Sequence, residues 1–353
     1  MRASPLARLL LAVYAVLTVY ATLYPMEGWR DPGLSAFAYL SAPWPRYVTR
    51  FDLAVNVLGY VPFGFLAVAA LHPRLRGVPA FAVATASAMA LSLSLEALQS
   101  FLPARFASNL DALCNLLGAA LGAALALRLV PRPLVEGPVA HFRRRAFLRG
   151  TAADAGLVLI GLWLFTQLDP ARLLFGAGDL RDYLNVSDAQ GQRPQFFILI
   201  EALTGAANLT AVGLLLSSLS APHSAARAKL VALVALALAV KTAAFAVLMR
   251  AEDVLAWLTP GAQIGLVAGL AVALAAVALP RAAQLAIAAV LIMAATVLVN
   301  LAPPNPYLTV SLKVWQQGHF LNFNGLTRLV SALWPFAALG YLMFLAARRP
   351  LNP

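Results

Sequence analysis

Six polar side chains in the N-terminal third of the chain lie inside segments that are otherwise apolar. They form three pairs: Asp52 and Asn56, Glu96 and Gln99, and Asp111 and Asn115. Residues three or four apart share one face of a helix, so each pair presents two polar groups together. An ionisable group near the centre of a bilayer costs about 2.5–3.5 kcal/mol on insertion scales. Each acid is therefore expected to have a function or a dedicated structural partner.

The acids of these pairs, together with Arg105, are suited to two kinds of chemistry. A protonated carboxyl beside an ionised one can act in general acid–base catalysis, so Glu96 and Asp111 are the candidate catalytic residues. A guanidinium binds phosphate or carboxylate through two parallel hydrogen bonds, which suits Arg105 to an anionic ligand group. A purely structural alternative is that the polar groups join neighbouring helices by hydrogen bonds. The candidate ligand-binding residues are Asp52, Asn56, Gln99, Arg105, Ser108 and Asn115.

The composition defines the elements that must position these residues. Of the 353 residues, 61% are hydrophobic and 11% are charged, and the mean hydropathy is +0.80. A soluble domain has about 45–50% apolar and about 25% charged residues, so that class is excluded, and so is a disordered chain. With about 20 residues per span, the sequence predicts an all-α polytopic membrane bundle of about ten transmembrane helices. The apolar runs lie near residues 6–24, 53–71, 79–102, 110–130, 151–168, 195–219, 229–249, 261–279, 284–301 and 327–347.

Lys and Arg residues indicate the orientation of the bundle, because they concentrate on the cytoplasmic side of membrane helices. An N-terminus inside the cell places the larger share of the 26 Lys and Arg residues, including Arg143–Arg145, in cytoplasmic segments. An even number of spans then puts both termini in the cytoplasm. This topology predicts that the polar pairs lie in the outer third of the membrane. It also explains the net charge of +12 without nucleic-acid binding.

Metal and cofactor sites have little support in the sequence. Cys114 is the only cysteine, and the histidines lie far apart in predicted loops, at His72, His141, His223 and His319. A site of the Cys/His type needs three or four such ligands close together. We therefore expect neither a metal ion nor a cofactor. A single cysteine also excludes an intrachain disulfide.

The charge and apolar patterns predict three parts of the chain. Residues 1–131 hold four predicted spans, residues 132–150 form a basic cytoplasmic linker, and residues 151–353 hold six further spans. In the last part, Glu201 and Lys241 lie at similar depth on consecutive spans. They are predicted to form a buried ion pair, with a proton or ion pathway as the alternative.

The order and spacing of the polar residues resemble those of the VanZ-like family of bacterial membrane proteins. The matching patterns are Asp-x3-Asn-x5-Pro-Phe-Gly, Glu-x2-Gln-x3-Pro-x-Arg and Ser-x2-Asp-x3-Asn-x2-Gly, over about residues 5–130. The resemblance implies a multi-pass protein of the bacterial cytoplasmic (inner) membrane. The founding member is associated with resistance to the glycopeptide antibiotic teicoplanin, so the family implies a cell-envelope context and no particular reaction. The positions that carry the pattern are Asp52, Asn56, Pro62, Phe63, Gly64, Glu96, Gln99, Pro103, Arg105, Ser108, Asp111, Asn115 and Gly118.

Three functions are consistent with these features. The first is an envelope protein with a polar pocket near the outer leaflet, which binds or modifies an amphipathic component such as a lipid-linked glycan, a phospholipid or a lipoglycopeptide. The second is a proton-coupled secondary transporter that uses intramembrane charges, namely Asp52, Glu96, Glu201 and Lys241. The third is a non-catalytic membrane scaffold. Membrane lipids are expected partners in each case, and whether the protein is an enzyme stays open at this point.

Overall fold

The computed structural model describes residues 4–130, 137–184, 193–222, 224–249, 253–303 and 321–347. In this part of the chain the regular elements are helices, which confirms the all-α class. The chain divides into two compact units, Met1–Arg144 and Arg145–Pro353. The division falls within the predicted basic linker, and the finer boundaries at residues 131 and 150 stay predictions.

The first unit contains four long helices, α1 (Pro5–Leu23), α2 (Arg50–Leu71), α3 (Gly77–Gln99) and α4 (Asn109–Leu129). Three of them begin at a side-chain cap, in which a hydroxyl oxygen accepts a backbone N–H of the first turn. The capping residues are Ser4 for α1, Thr49 for α2 and Ser108 for α4. Such caps satisfy donors that a helix leaves unpaired at its start. They therefore fix where α2 and α4 begin and how their polar residues are placed.

Glycines bring α2 and α4 into backbone contact. A Cβ atom on Gly118 or Gly122 would overlap a carbonyl oxygen of α2, and a Cβ atom on Gly64 would overlap a carbonyl oxygen of α4. Only a residue without a side chain allows such an approach between helices. These glycines therefore set the spacing of the two helices that carry Asp52 and Asp111.

Helix α3 ends at Gln99, short of the predicted end at residue 102. Leu102 precedes Pro103, and the residue before a proline is disfavoured in the helical conformation. The chain instead turns, and the Leu102 N–H donates to the Gln99 carbonyl at 2.9 Å. As a result Glu96 lies in the last turn of α3, closer to the end of the helix than the sequence predicts.

The second unit is arranged around a long helix, α8 (Pro194–Ser218), most of which is buried. After α4, the described helices are α5 (Pro138–Ala146), α6 (Thr151–Thr166), α7 (Arg181–Leu184), α8 (Pro194–Ser218), α9 (Ala226–Leu248), α10 (Pro260–Ala276), α11 (Arg281–Leu301) and α12 (Leu321–Ala347). The division between the two units falls within the short helix α5. Helix α8 packs against α10 and α11, and α12 packs against α6 and α11. Every residue of α8 from Asn208 to Leu216 is buried, as expected for a helix that is apolar on all sides.

Within the described residues, eight helices are long and apolar enough to cross a membrane: α1, α2, α3, α4, α8, α9, α11 and α12. Helices α6 and α10 are apolar but have only 16 and 17 residues. At 1.5 Å per residue they are about 25 Å long, less than the hydrocarbon core of about 30 Å. A multi-pass helical bundle is thus supported, while ten spans and two cytoplasmic termini stay predictions.

Candidate ligand-binding site

The Glu96 carboxylate lies at the N-terminus of α4. Glu96 is 3% exposed, and its Oε2 accepts a hydrogen bond from the backbone N–H of Ser108 at 2.8 Å. Ser108 is the N-cap of α4, so the acid of one helix satisfies a backbone donor of the next. The positive end of a helix dipole also favours an anion at this place. These contacts account for the position of Glu96.

Asp52 and Asp111 occupy the same position in their helices but have different partners. Each is the third residue after an N-cap. In α2 the capping box is complete, because the Asp52 N–H donates to the Thr49 hydroxyl at 3.0 Å and the Thr49 N–H donates to the Asp52 carboxylate at 3.2 Å. In α4 the Asp111 N–H donates to the Ser108 hydroxyl at 3.3 Å, but the Ser108 N–H is taken by Glu96. The Asp111 carboxylate is thereby released from capping.

The released Asp111 carboxylate interacts with groups of α2. Its neighbours there are the Asp52 carboxylate and the Asn56 side chain, and it also interacts with Glu96 of α3. Asp52 is exposed, Asn56 and Asp111 are half-buried, and Glu96 is buried. The four side chains therefore form a series that runs from the surface of the unit into its interior.

Buried polar groups continue this series between the helices. Asn115 is 6% exposed and donates its Nδ2 hydrogen to the Ser92 hydroxyl at 2.9 Å. Its Oδ1 is buried and has no hydrogen-bond partner among the described residues. Tyr60 of α2 is also buried, beside Ser92 and Glu96. We refer to the whole set as the N-terminal polar cluster, which comprises Asp52, Asn56, Tyr60, Ser92, Glu96, Ser108, Asp111 and Asn115.

Gln99 and Arg105 bind the C-terminal end of α1. Gln99 Nε2 donates to the Thr22 carbonyl at 2.9 Å, and Arg105 Nε donates to the Tyr24 carbonyl at 2.9 Å, with Nη2 on the same oxygen. Carbonyl groups at the end of a helix lack intrahelical partners, so both side chains stabilise this junction. Burial lowers the pKa of Arg105 from its ordinary value. Ligand binding by these two residues stays a prediction.

The segment between α1 and α2 folds over the same end of the unit. Asn109 Nδ2 donates to the Ala42 carbonyl at 2.7 Å, and the Tyr39 hydroxyl donates to the Leu93 carbonyl at 3.1 Å. Tyr39 is 6% exposed. Burial, and then the nearby charge of Glu96, raise the pKa of the Tyr39 phenol. This segment therefore holds Tyr39 close to Glu96.

The structure thus joins six of the predicted site residues in one cluster and places Gln99 and Arg105 at the neighbouring α1 junction. Sequence reasoning missed Tyr39, Tyr60 and Ser92. Helical spacing could have found two of these, because Ser92 is four residues before Glu96 and Tyr60 is four residues after Asn56. The described residues contain no group of three or more His, Cys, Asp or Glu side chains that could hold a metal ion.

Lys241 of α9 is bound in the second unit by backbone carbonyl groups. It is 1% exposed, and its Nζ donates to the carbonyls of Asp169 at 2.7 Å and Arg172 at 2.8 Å. Glu201 of α8 interacts with the Lys241 charge and also lies beside Thr259. No direct Glu201–Lys241 ion pair is among the contacts of the described residues. The predicted pairing therefore stays a prediction.

The loop that follows α6 supplies charges that the sequence analysis did not single out. Asp169 is completely buried and Arg172 is 7% exposed. Asp179 Oδ2 lies 2.9 Å from Arg172 Nη1 and 2.8 Å from Arg181 Nη2. Together with Glu201 and Lys241, these four residues form what we call the C-terminal charge network. Its acids and bases are equal in number, and a buried charge without such compensation would be strongly destabilising.

Replacing Asp179 with asparagine should weaken the acid dependence of stability in the second unit. Burial raises the pKa of the Asp179 carboxyl, but the hydrogen bond from Arg181 and the charges of Arg172 and Arg181 outweigh it and lower the pKa from its ordinary value. The ionised carboxyl therefore stabilises the fold above the unfolded pKa of about 3.9, and this stability is lost as the pH falls through the lower folded pKa.

The measurement is the apparent unfolding temperature of the purified protein between pH 7 and pH 3. We expect Asp179→Asn to be less stable than the wild type at pH 7 and to lose less stability on acidification. The control is Asp31→Asn, which changes an exposed acid of the first unit. Parallel declines for the wild type and Asp179→Asn would show that this carboxyl is not the linked group.

The helices and the buried polar cluster define a multi-pass helical membrane protein. Residues 9–130 match the family model VanZ/LLP1, so the N-terminal region is VanZ-like, as its polar pattern predicts. The match extends from α1 to the end of α4 and covers every residue of the N-terminal polar cluster. No curated protein and no solved structure matches the chain.

Proposed function

We propose that the N-terminal unit binds an amphipathic component of the bacterial cell envelope through the N-terminal polar cluster. The component is a lipid-linked glycan, a phospholipid or a lipoglycopeptide. The observation that supports this proposal is the meeting of Asp52, Glu96 and Asp111, from three helices, at one end of the unit. With the orientation predicted from the basic residues, this end lies near the outer leaflet of the cytoplasmic membrane.

Structural roles account for only part of the cluster. Helix capping explains Asp52 and one carboxylate oxygen of Glu96. It does not explain the Asp111 carboxylate, whose capping partner is taken by Glu96, or the unpaired Oδ1 of Asn115. An unpaired buried polar atom costs about 1–3 kcal/mol, which a hydrogen bond from a ligand would offset. If the ligand is also modified, Asp111 is better placed than Glu96 to act as the base, because Asp111 lies beside the exposed Asp52.

A proton-coupled transporter has less support. The three acids of the cluster lie at one end of their helices, whereas alternating access requires a site that both sides of the membrane can reach in turn. The charges of the second unit form a balanced network and bind one another or backbone carbonyls. Neither the position of the acids nor the balanced charge network requires proton transfer across the membrane.

Co-purification is the direct test of the binding proposal. The full-length protein is extracted from bacterial membranes in a mild detergent, and bound lipids and glycans are identified by native mass spectrometry. We expect one amphipathic molecule to remain with the wild type. Asp111→Asn and Asn115→Leu should each reduce its occupancy about tenfold, the equivalent of about 1.4 kcal/mol, because each removes an acceptor of the cluster.

The matched control is Leu117→Ala, a change on the lipid-facing side of α4, where Leu117 is 50% exposed. This variant should retain the ligand. Circular dichroism and gel filtration establish that the compared samples are equally folded. The proposal is wrong if the two cluster variants retain as much ligand as the control, or if the wild type retains none.

A further inference from the structure

Three amide groups in and around the N-terminal polar cluster have their donor ends engaged. Gln99 Nε2 donates to the Thr22 carbonyl, Asn109 Nδ2 to the Ala42 carbonyl and Asn115 Nδ2 to the Ser92 hydroxyl. The acceptor ends differ, because Oδ1 of Asn109 and Oδ1 of Asn115 are buried without a partner among the described residues. The buried amide atoms without a partner at Asn109 and Asn115 are therefore their acceptor oxygens.

The carboxylates add acceptors and negative charge to the same place. Asp111 is released from capping, and the Ser108 N–H donates to Oε2 of Glu96. Asp52 lies close enough to act on Asp111. The Asp52 and Asp111 carboxylates repel each other when both are ionised, and either a proton or a bound cation relieves the repulsion.

A ligand group that fits this site must donate hydrogen bonds and carry positive charge. A phosphate or carboxylate would bring further acceptors and further negative charge. A primary ammonium group has three donors and no acceptor, which matches both features of the site. A quaternary ammonium has the charge but lacks the donors, and a sugar hydroxyl has a donor but lacks the charge.

We infer that the N-terminal polar cluster recognises a protonated primary amine on the polar part of an amphipathic molecule. This inference rests on the proposed function and specifies its ligand class. The buried Oδ1 of Asn115, the Asp111 carboxylate and the second carboxylate oxygen of Glu96 are the acceptors for the amine hydrogens. The amine belongs to an ethanolamine headgroup or to an amino sugar. Both contain the protonated primary amine that the site would bind.

Soluble amphipathic probes test this inference on the full-length protein in nanodiscs. The probes are dihexanoyl phosphatidylethanolamine, phosphatidylcholine and phosphatidylglycerol, and the pair octyl glucosaminide and octyl glucoside. Binding is measured by microscale thermophoresis at pH 7. We expect at least one amine probe to bind about tenfold or more tightly than its counterpart without a primary amine. The probe that shows the preference identifies the source of the amine.

Variants assign this preference to the cluster. Asp111→Asn and Asn115→Leu should abolish the preference for the amine, whereas Glu27→Gln, which removes an exposed acid of the segment between α1 and α2, should leave it unchanged. Equal affinities within each probe set, or tighter binding of phosphatidylglycerol, would overturn the amine inference. If probes without an amine then bind and depend on Asn115, the proposed function survives. If no probe binds, both proposals fail.

Discussion

Replacing Gly122 with alanine should prevent the N-terminal unit from folding stably. A Cβ atom at this position would overlap the Val61 carbonyl oxygen of α2, and backbone atoms cannot move aside as a flexible side chain can. The two helices would have to separate, which would also loosen the contact that Gly118 makes with Val57. Overpacking of a core typically costs about 1–3 kcal/mol and sometimes more. Because this overlap is with backbone, we expect a loss of at least about 3 kcal/mol.

Gly59 provides a matched control in the same helix pair. A Cβ atom on Gly59 would meet nothing within 4 Å, and alanine is favoured over glycine in a helix by up to about 1 kcal/mol. Gly59→Ala should therefore be neutral or stabilising, whereas Gly122→Ala should be expressed poorly or unfold at a much lower temperature. The measurements are the yield of monodisperse protein and the apparent unfolding temperature in detergent. Similar results for both variants would contradict the close contact between α2 and α4.

Helical spacing predicts which polar side chains of the N-terminal polar cluster share a helix face. Asp111 and Asn115 share a face because they are four residues apart, and the same holds for Asp52 and Asn56. Insertion energetics then required that these faces avoid lipid. Helical spacing does not predict the hydrogen-bond partner of each polar atom. Asp111 is released because Glu96 accepts the hydrogen bond of the Ser108 N–H. This contact joins α3 to the start of α4, and it depends on the path of the turn between them.

Arg105 shows a second limit of reasoning from residue types. A lone basic residue among acids is expected to pair with one of them or with an anionic ligand. In the structure its Nε and Nη2 groups bind the Tyr24 carbonyl. Every residue has a backbone carbonyl, so the sequence does not predict which carbonyl will accept a hydrogen bond from a given side chain. The chain path at the end of α1, which is set by tertiary packing, makes this carbonyl available.

The second unit shows the same limit more strongly. Similar depth of Glu201 and Lys241 on consecutive spans predicts a buried ion pair, and that pairing stays a prediction. The atoms that hold the Lys241 ammonium, however, are carbonyl oxygens of the loop after α6. That loop has the composition of an ordinary connection between spans. In this loop, Asp169 contacts Lys241 of α9 and Thr327 of α12, and no local sequence pattern encodes these contacts.

Replacing Lys241 with methionine should strongly destabilise the second unit. Methionine keeps most of the side-chain volume but removes the donors for the Asp169 and Arg172 carbonyls. It also leaves the completely buried Asp169 and the 8% exposed Glu201 with one fewer positive charge nearby. Removing one partner of a buried charge arrangement typically costs about 3–5 kcal/mol. For a unit of this size, such a loss lowers the apparent unfolding temperature by about 10 °C.

A double-mutant cycle separates the charge from the carbonyl contacts. Glu201→Gln removes the negative charge that Lys241→Met leaves uncompensated, so the double variant should lose less stability than the sum of the single variants. Arg227→Met is the control for removing a positive charge from α9, because the Arg227 side chain is exposed and should contribute little. Additive losses would mean that Lys241 acts only through the two carbonyls. A Lys241→Met variant as stable as Arg227→Met would mean that the loop after α6 does not need the ammonium at all.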